Sequence, residues 1–412
     1  MQRATISTVA SFLALALAAC TDTPPPSSPN RPPPSARAML ADGDDDVQLD
    51  VPLAGLTAAE LDRFNRGRVV FSRVFTEAEG LGPSFNSAAC ANCHEEPSVG
   101  GTGDDLSEDI ETHVARLNGT TCDDLAASGG GVIQHHTTQL LQAVYPGYVT
   151  EPMPSGAVVA HRSTPALFGF GLLDAIPAST IQALADPTDA DGDGVSGRPS
   201  LANGKLLRFG RKATDETLLG FNAGAFQNEM GITSSVAFNE QLLVGVYFPF
   251  SKAISPTTMG SELSNQDLAL ATDFVRFLRP PPQAKRDAVA NDGRELFSSV
   301  GCASCHVPSL VTGPSTVRAL DRVPVSAFTD LLLHDMGPGL ADICRGNTLA
   351  SEFRTEPLMG LRFRERFLHD ARAETLDDAV LQHGGEATLA RDRFAGLKAN
   401  QRAALIAYLN TL

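Results

Sequence analysis

Along this chain the apolar positions change spacing three times, and each change predicts a different kind of segment. The first run is continuous, from about Val9 to Ala19 behind the basic Arg3, and ends Leu17-Ala18-Ala19-Cys20. A short apolar core closed by small residues predicts a secretion leader over residues 1–19. Residues 20–50 offer little to bury: Pro24-Pro25-Pro26, Pro32-Pro33-Pro34 and the acidic run Asp42 to Asp46 predict an extended tether. Farther on the spacing turns helical, with apolar residues three and four apart from Leu268 to Leu278 and again from Leu397 to Leu409.

The two helical patterns belong to an internal duplication. Gly67-Arg68-Val69-Val70-Phe71 precedes Cys90-Ala91-Asn92-Cys93-His94, and Gly293-Arg294-Glu295-Leu296-Phe297 precedes Cys302-Ala303-Ser304-Cys305-His306. The first copy carries a longer connection that includes Gly80-Leu81-Gly82-Pro83. Pro280-Pro281-Pro282 stops the first closing helix and predicts a boundary near residue 285. Between residues 104 and 265 glycine and turn residues dominate, with neither βαβ alternation nor regularly spaced strands. Short helices joined by long loops, in a mainly α fold, are the expectation there.

Cys-x-x-Cys-His is the signature of covalent haem attachment: one turn sets two thiols against the porphyrin vinyl groups, and the next residue offers imidazole to the iron. A four-cysteine zinc site would bring its Cys-x-x-Cys pairs much closer in sequence, and a thioredoxin-like pair would need a βαβ context. The expected architecture is therefore two cytochrome c-like domains with long loops, residues 51–285 and 286–412, carrying two covalently bound haem c groups on Cys90, Cys93, His94 and Cys302, Cys305, His306. The sixth ligand then decides whether each iron only transfers electrons or also binds a substrate. For the second haem the residues alone leave His334, Met336, Met359, His369 and His383 open; for the first, His113, His135, His136, His161 and Met230.

Composition narrows the partners. Of seven cysteines, the two motifs use four and the leader boundary one, so Cys122 and Cys344 remain and are free to pair in an oxidising compartment. A net charge of −16 excludes nucleic acid as a partner and favours a basic electron-donor protein. Asp189-Ala190-Asp191-Gly192-Asp193-Gly194 has the opening of a calcium loop, with Asp189, Asp191 and Asp193 as candidate ligands, although its twelfth position is Ser200 rather than glutamate.

Several segments resemble known families. Leu-Ala-Ala-Cys is similar to the bacterial lipobox, which implies that Cys20 is lipidated and that the exported protein meets the membrane, on its periplasmic side, through that anchor only. Arg354 to Gly360, Phe367-Leu368-His369-Asp370 and Ala379-Val380-Leu381-Gln382-His383-Gly384 resemble the bacterial di-haem cytochrome c peroxidases. In those proteins a methionine at the place of His383 ligates the electron-entry haem, so the resemblance implies a bis-histidine second haem here. Gln227-Asn228-Glu229-Met230 is similar to their segment carrying a catalytic glutamate, and implies Glu229 as the acid-base group at the first haem. Their inter-haem tryptophan is absent, since this chain has no Trp and reads Arg208-Phe209-Gly210-Arg211-Lys212-Ala213. Gly80 to Asn86, Arg162 to Leu167, Gly171 to Pro177 and Leu332 to Gly337 resemble the di-haem oxidoreductase family, labelled both as thiol oxidoreductases and as peroxidases. The implied activity is reduction of hydrogen peroxide at the N-terminal haem with electrons relayed through the C-terminal one. The alternatives are a non-catalytic electron-transfer cytochrome and an oxidoreductase whose small-molecule reductant is a thiol or ferrous iron.

Overall fold

The computed structural model describes residues 47–103, 109–118, 121–125, 130–238 and 261–412. The expected leader, Cys20 and the tether up to residue 46 lie outside the described residues, as do positions 104–108 of the middle segment. Among the described residues no helix is long and apolar enough to cross a membrane.

Thr57 starts the first helix, Ala58–Phe71, through a capping box in which Glu60 answers its hydroxyl. Its inner face is Phe64, Gly67, Val70 and Phe71. That face lies on the helix Asn265–Phe277, which Ser264 caps and which buries Leu268, Leu270, Ala271, Phe274 and Val275. The crossing is closest at Gly67, where a Cβ would stand 2.0 Å from the Leu270 carbonyl oxygen. Phe274 then fits between Phe64 and Phe71, with ring centroids 5.2 and 4.9 Å away.

The second half repeats this device. Helix Ala288–Ser299, capped by Asp287, crosses helix Ala399–Leu409 at Gly293, where a Cβ would stand 1.9 Å from the Ala404 carbonyl oxygen. Phe297 packs edge-on to Tyr408 at 5.5 Å. The duplicated Gly-x-x-x-Phe thus has a physical meaning: glycine lets two helix backbones meet, and the phenylalanine one turn later packs beside the haem motif. Phe71 lies 5.9 Å from the His94 ring.

The middle departs from the mainly α expectation. Strand Ile110–Asn118 pairs antiparallel with Thr121–Asp123, Val132–Ile133 and Val158–Ser163, and Ser84–Phe85 pairs with His136–Thr137. Glu111-Thr112-His113-Val114-Ala115 and Val158-Val159-Ala160-His161 alternate too weakly between polar and apolar to announce strands. Long-range pairing selects them. Cys122 and Cys344 are joined in a disulfide, tying strand Thr121–Asp123 to the loop that follows strand Leu333–Asp335.

Residues 44–412 form one compact unit. Inside it the segment 208–213 is heavily anchored. Arg208 donates to the carbonyls of Leu173 and Ile176, and Lys212, only 1% exposed, donates to those of Leu349, Ala350 and Glu352 and pairs with Asp342 at 2.7 Å. Burial pushes the Lys212 ammonium down to about 8, against the pull of Asp342.

The crossing at Gly293 makes a direct prediction. Gly293→Ala would gain up to about 1 kcal/mol of helix propensity, but its methyl would strike backbone that cannot rotate away. Overpacking of this kind costs about 1–3 kcal/mol. The net expectation is a lower thermal and denaturant midpoint at unchanged helix content, followed by circular dichroism.

Candidate haem sites

Each Cys-x-x-Cys-His motif opens into its own cavity. Cys90, Cys93 and His94 line a first cavity of ≈ 1080 Å³, and Cys302, Cys305 and His306 a second of ≈ 390 Å³. The local fold is the same in both: the backbone N–H of the histidine donates to the carbonyl of the first cysteine, at 3.1 Å in His94 and 2.9 Å in His306. Burial pushes the Cys90 and Cys302 thiols up to about 12 and raises Cys93 and Cys305 as well. These are neutral thiols in apolar walls, which suits addition to a vinyl group better than a metal thiolate site.

Three imidazoles share one geometry. Nδ1 of His94 donates to the Gly101 carbonyl at 3.1 Å, Nδ1 of His306 to Phe328 at 2.9 Å, and Nδ1 of His383 to Ala379 at 2.8 Å. A carbonyl only accepts, so the proton is fixed on Nδ1 and the lone pair on Nε2 is kept for a metal. Burial lowers all three pKa values, that of His306 to about 4, so the rings stay neutral. His383 lines the second cavity together with His306.

His334 does the opposite. Its Nδ1 donates to Glu386 at 2.7 Å and its Nε2 to Asp330 at 2.8 Å, so no lone pair is left. Although burial opposes the charge, the partners Asp330, Cys305 and Glu386 raise its pKa to about 12. It is an imidazolium 3.6 Å from the Cys305 sulfur, not a ligand. Met359 packs into the core against Gly169. Met336 and His369 line the second cavity, but the His369 ring leans on Phe353, centroids 4.4 Å apart and planes tilted by 33°.

The walls of the second cavity also test whether a propionate-bearing macrocycle fits. Arg211, Arg354 and Arg364 surround the single carboxylate of Glu356, which despite burial they hold down at about 2. Nε of Arg364 and Oγ1 of Thr355 are buried there without a partner. Three guanidinium groups on one carboxylate, with a donor unspent, match two further carboxylates. The donor set fits haem.

In the first cavity the expected acid-base residue is present. Glu229 ends helix Leu218–Met230, and the segment 82–87 wraps that terminus: Gly82 N–H donates to Met230, while Asn86 and Ser87 N–H both donate to the Glu229 carbonyl. Gly231, at φ +65°, closes the helix where any Cβ would stand 2.4 Å from the Ser84 carbonyl oxygen. The Asn86 amide is oriented from both ends. Its oxygen accepts the His135 N–H at 3.0 Å and its nitrogen donates to Oε2 of Glu229 at 2.8 Å. Burial first, and then the charge of Glu111, raise the Glu229 pKa well above the usual carboxylate range. The helix C-terminus pushes the same way. Glu111 lines the same cavity but stays ionised, because against its burial it accepts from His113 Nε2 at 2.7 Å and feels Arg162.

Of the candidate ligands at the first iron, His113 is buried outside the cavity wall, His135, His136 and His161 are exposed at its rim, and Met230 is a buried part of its lining. The acidic loop differs from its expected ligand set. The carboxylates brought together are Asp186, Asp189 and Asp191, whereas Asp193 lies outside that group and accepts the Val195 N–H at 2.8 Å, and Ser200 bonds Asn347. Asp186 precedes the motif and was invisible to its spacing. Asn86, Glu111, Glu386 and the arginine cluster were missed too; only Asn86, inside Gly80 to Asn86, and the arginine of Arg354-Thr355-Glu356-Pro357 carried any signal.

One shared wall separates the cavities. Ser163, between the first-cavity residues His161 and Thr164, donates its N–H to the carbonyl of His369 at 2.9 Å, and its own carbonyl accepts from Arg211 at 2.8 Å. His369 and Arg211 belong to the second cavity.

No curated protein matches the chain. Among solved structures it is similar to a hydrazine synthase from Kuenenia stuttgartiensis, at 13% identity over 100% of this chain and 99% of that one, with a TM-score of 0.38. It is also similar to the diheme peroxidase BthA from Burkholderia thailandensis, at 14% identity over 85% and 86% of the two chains, TM-score 0.40. A third is a MauG-like protein associated with microbial copper homeostasis, at 14% identity over 89% and 94%, TM-score 0.39. Residues 154–412 match the family described as "Di-haem oxidoreductase, putative peroxidase", and the chain belongs to that di-haem oxidoreductase family.

Proposed function

We propose that this di-haem oxidoreductase reduces hydrogen peroxide in the first cavity with electrons that enter through the second. The observation that carries the reading is the unequal equipment of two similar cavities. The second offers a neutral imidazole, His383, beside the motif histidine, which suits a closed, electron-transferring iron. The first offers a carboxyl group, Glu229, oriented by Asn86 and raised by burial well above the usual carboxylate range, which suits proton transfer in both directions. Haem, which Cys90, Cys93, Cys302 and Cys305 would attach and His94, His306 and His383 would ligate, would supply the one-electron redox chemistry.

Glu229 takes the proton from the near oxygen of peroxide and returns it to the far oxygen, which departs as water. Two electrons and two further protons complete the reduction to a second water. Asn86 holds the carboxyl in place, and the charge of Glu111 raises its affinity for the proton it takes. The reducing partner is a basic protein, in keeping with the chain's charge of −16. Export and lipidation at Cys20 are carried forward from the leader. Met230 supports a second reading: a thioether ligand from this buried side chain would close the first iron and leave an electron carrier. A high-spin signal in the half-reduced protein separates the two.

Covalent attachment predicts haem staining that survives denaturing electrophoresis, at two haems per chain; a single haem would reject one motif. Glu229→Gln should keep both haems and their reduction while lowering peroxide turnover roughly 10² to 10⁴-fold. Glu111→Gln tests the electrostatics with a definite sign. Removing its charge lowers the Glu229 pKa, so the acid limb of the kcat/KM profile should move to lower pH. An unmoved limb would mean that the two carboxyl groups are not coupled.

A further inference from the structure

Glu386 is the most heavily bonded carboxylate at either cavity, and nothing in the proposed chemistry uses it. Its Oε2 accepts from His334 Nδ1 at 2.7 Å and Ser196 N at 2.8 Å; its Oε1 accepts from Ser196 Oγ and Asp335 N, both at 3.0 Å. Two separate segments, at Ser196 and at His334-Asp335, therefore converge on one side chain. It stands three residues after His383, in the run His383-Gly384-Gly385-Glu386 that leaves helix Leu376–Leu381.

The backbone of that run is pressed flat against His334-Asp335-Met336-Gly337. A Cβ on Gly385, at φ +53°, would stand 2.0 Å from the Asp335 carbonyl oxygen, and one on Gly384 2.9 Å from that of Met336. Gly337, at φ +75°, meets Gly385 N at 2.8 Å by the same measure. Only glycine allows these approaches. His334 is itself fixed from behind by Asp330, and Gly197 leaves room for its ring, since a Cβ there would be 2.6 Å from His334 Cε1. The His334 ring in turn touches Cys305, next to the motif ligand His306.

We infer that Glu386 is a positioning residue: clasped by His334, Ser196 and Asp335, it fastens the run 383–386 to strand Leu333–Asp335 and so keeps His383 on the second iron. The inference rests on the proposed ligation by His383. Without the clasp the hydrogen bonds that remain to His383 among the described residues are its Nδ1 to Ala379 and its N–H to Val380, both in the preceding helix, and its carbonyl to Arg391. Outer bonds of this kind change metal affinity about 10–100-fold when removed.

The test uses the full di-haem protein and carbon monoxide as a probe of His383 release. Glu386→Ala should keep two haems per chain but let the reduced second haem take up carbon monoxide about 10–100-fold more readily, with a new high-spin fraction in the oxidised spectrum. His383→Ala is the control. If it leaves the second-haem spectrum unchanged, the ligand assignment is wrong; if it changes that spectrum while Glu386→Ala does not, the clasp is wrong. Ser196→Ala removes one of the donors to the same carboxylate and covers the case in which Glu386→Ala fails to assemble. It should show the same change at smaller amplitude, and wild-type uptake in Ser196→Ala would overturn the inference.

Discussion

The structure depends on two helix crossings that only glycine permits. Gly67 against Leu270 and Gly293 against Ala404 bring the backbones of two helices into contact, and each contact sets a phenylalanine and a Cys-x-x-Cys-His turn at the edge of a cavity. A close-packed helix pair behind each motif fixes where the two cysteines and the histidine stand, and the same crossing is built twice.

From this common frame the halves diverge by what is laid against it. The first half inserts the segment 80–87, whose backbone binds the end of helix Leu218–Met230 and whose Asn86 presents Glu229. The second half lays down helix Leu376–Leu381 and delivers His383 instead. One frame thus holds an ionisable acid and the other a tautomer-locked base. The difference between the two cavities of this duplicated protein follows from one inserted loop and one short helix, not from two folds.

Much of this was legible in the sequence because it is local. The Cys-x-x-Cys-His turns, the Gly-x-x-x-Phe helices and the closing helices near Leu268 and Leu397 are written in short spacings, and the Cys122 and Cys344 pair falls out of counting. What stayed hidden is non-local. The strands around Ile110–Asn118 alternate poorly and form because partners 20 to 50 residues away are present. The acidic loop differs from its spacing because the path of the turn, which spacing does not encode, brings Asp186 beside Asp189 and Asp191 and leaves Asp193 outside that group. His334 carries the same side chain as a metal ligand, and only the two carboxylates on its nitrogens reveal that it is a fixed cation.

At Ser163 a single residue links the walls of the two cavities. Ser163 bonds His369 and Arg211 directly, with first-cavity residues on either side of it in sequence. Charge placed in one cavity is therefore felt in the other through protein of low polarisability rather than through screening water. The two redox centres share a single electrostatic account: an electron on either one makes the next less welcome on the other, by the same amount in both directions. To the extent of that coupling, the midpoint potentials belong to the pair rather than to either centre alone.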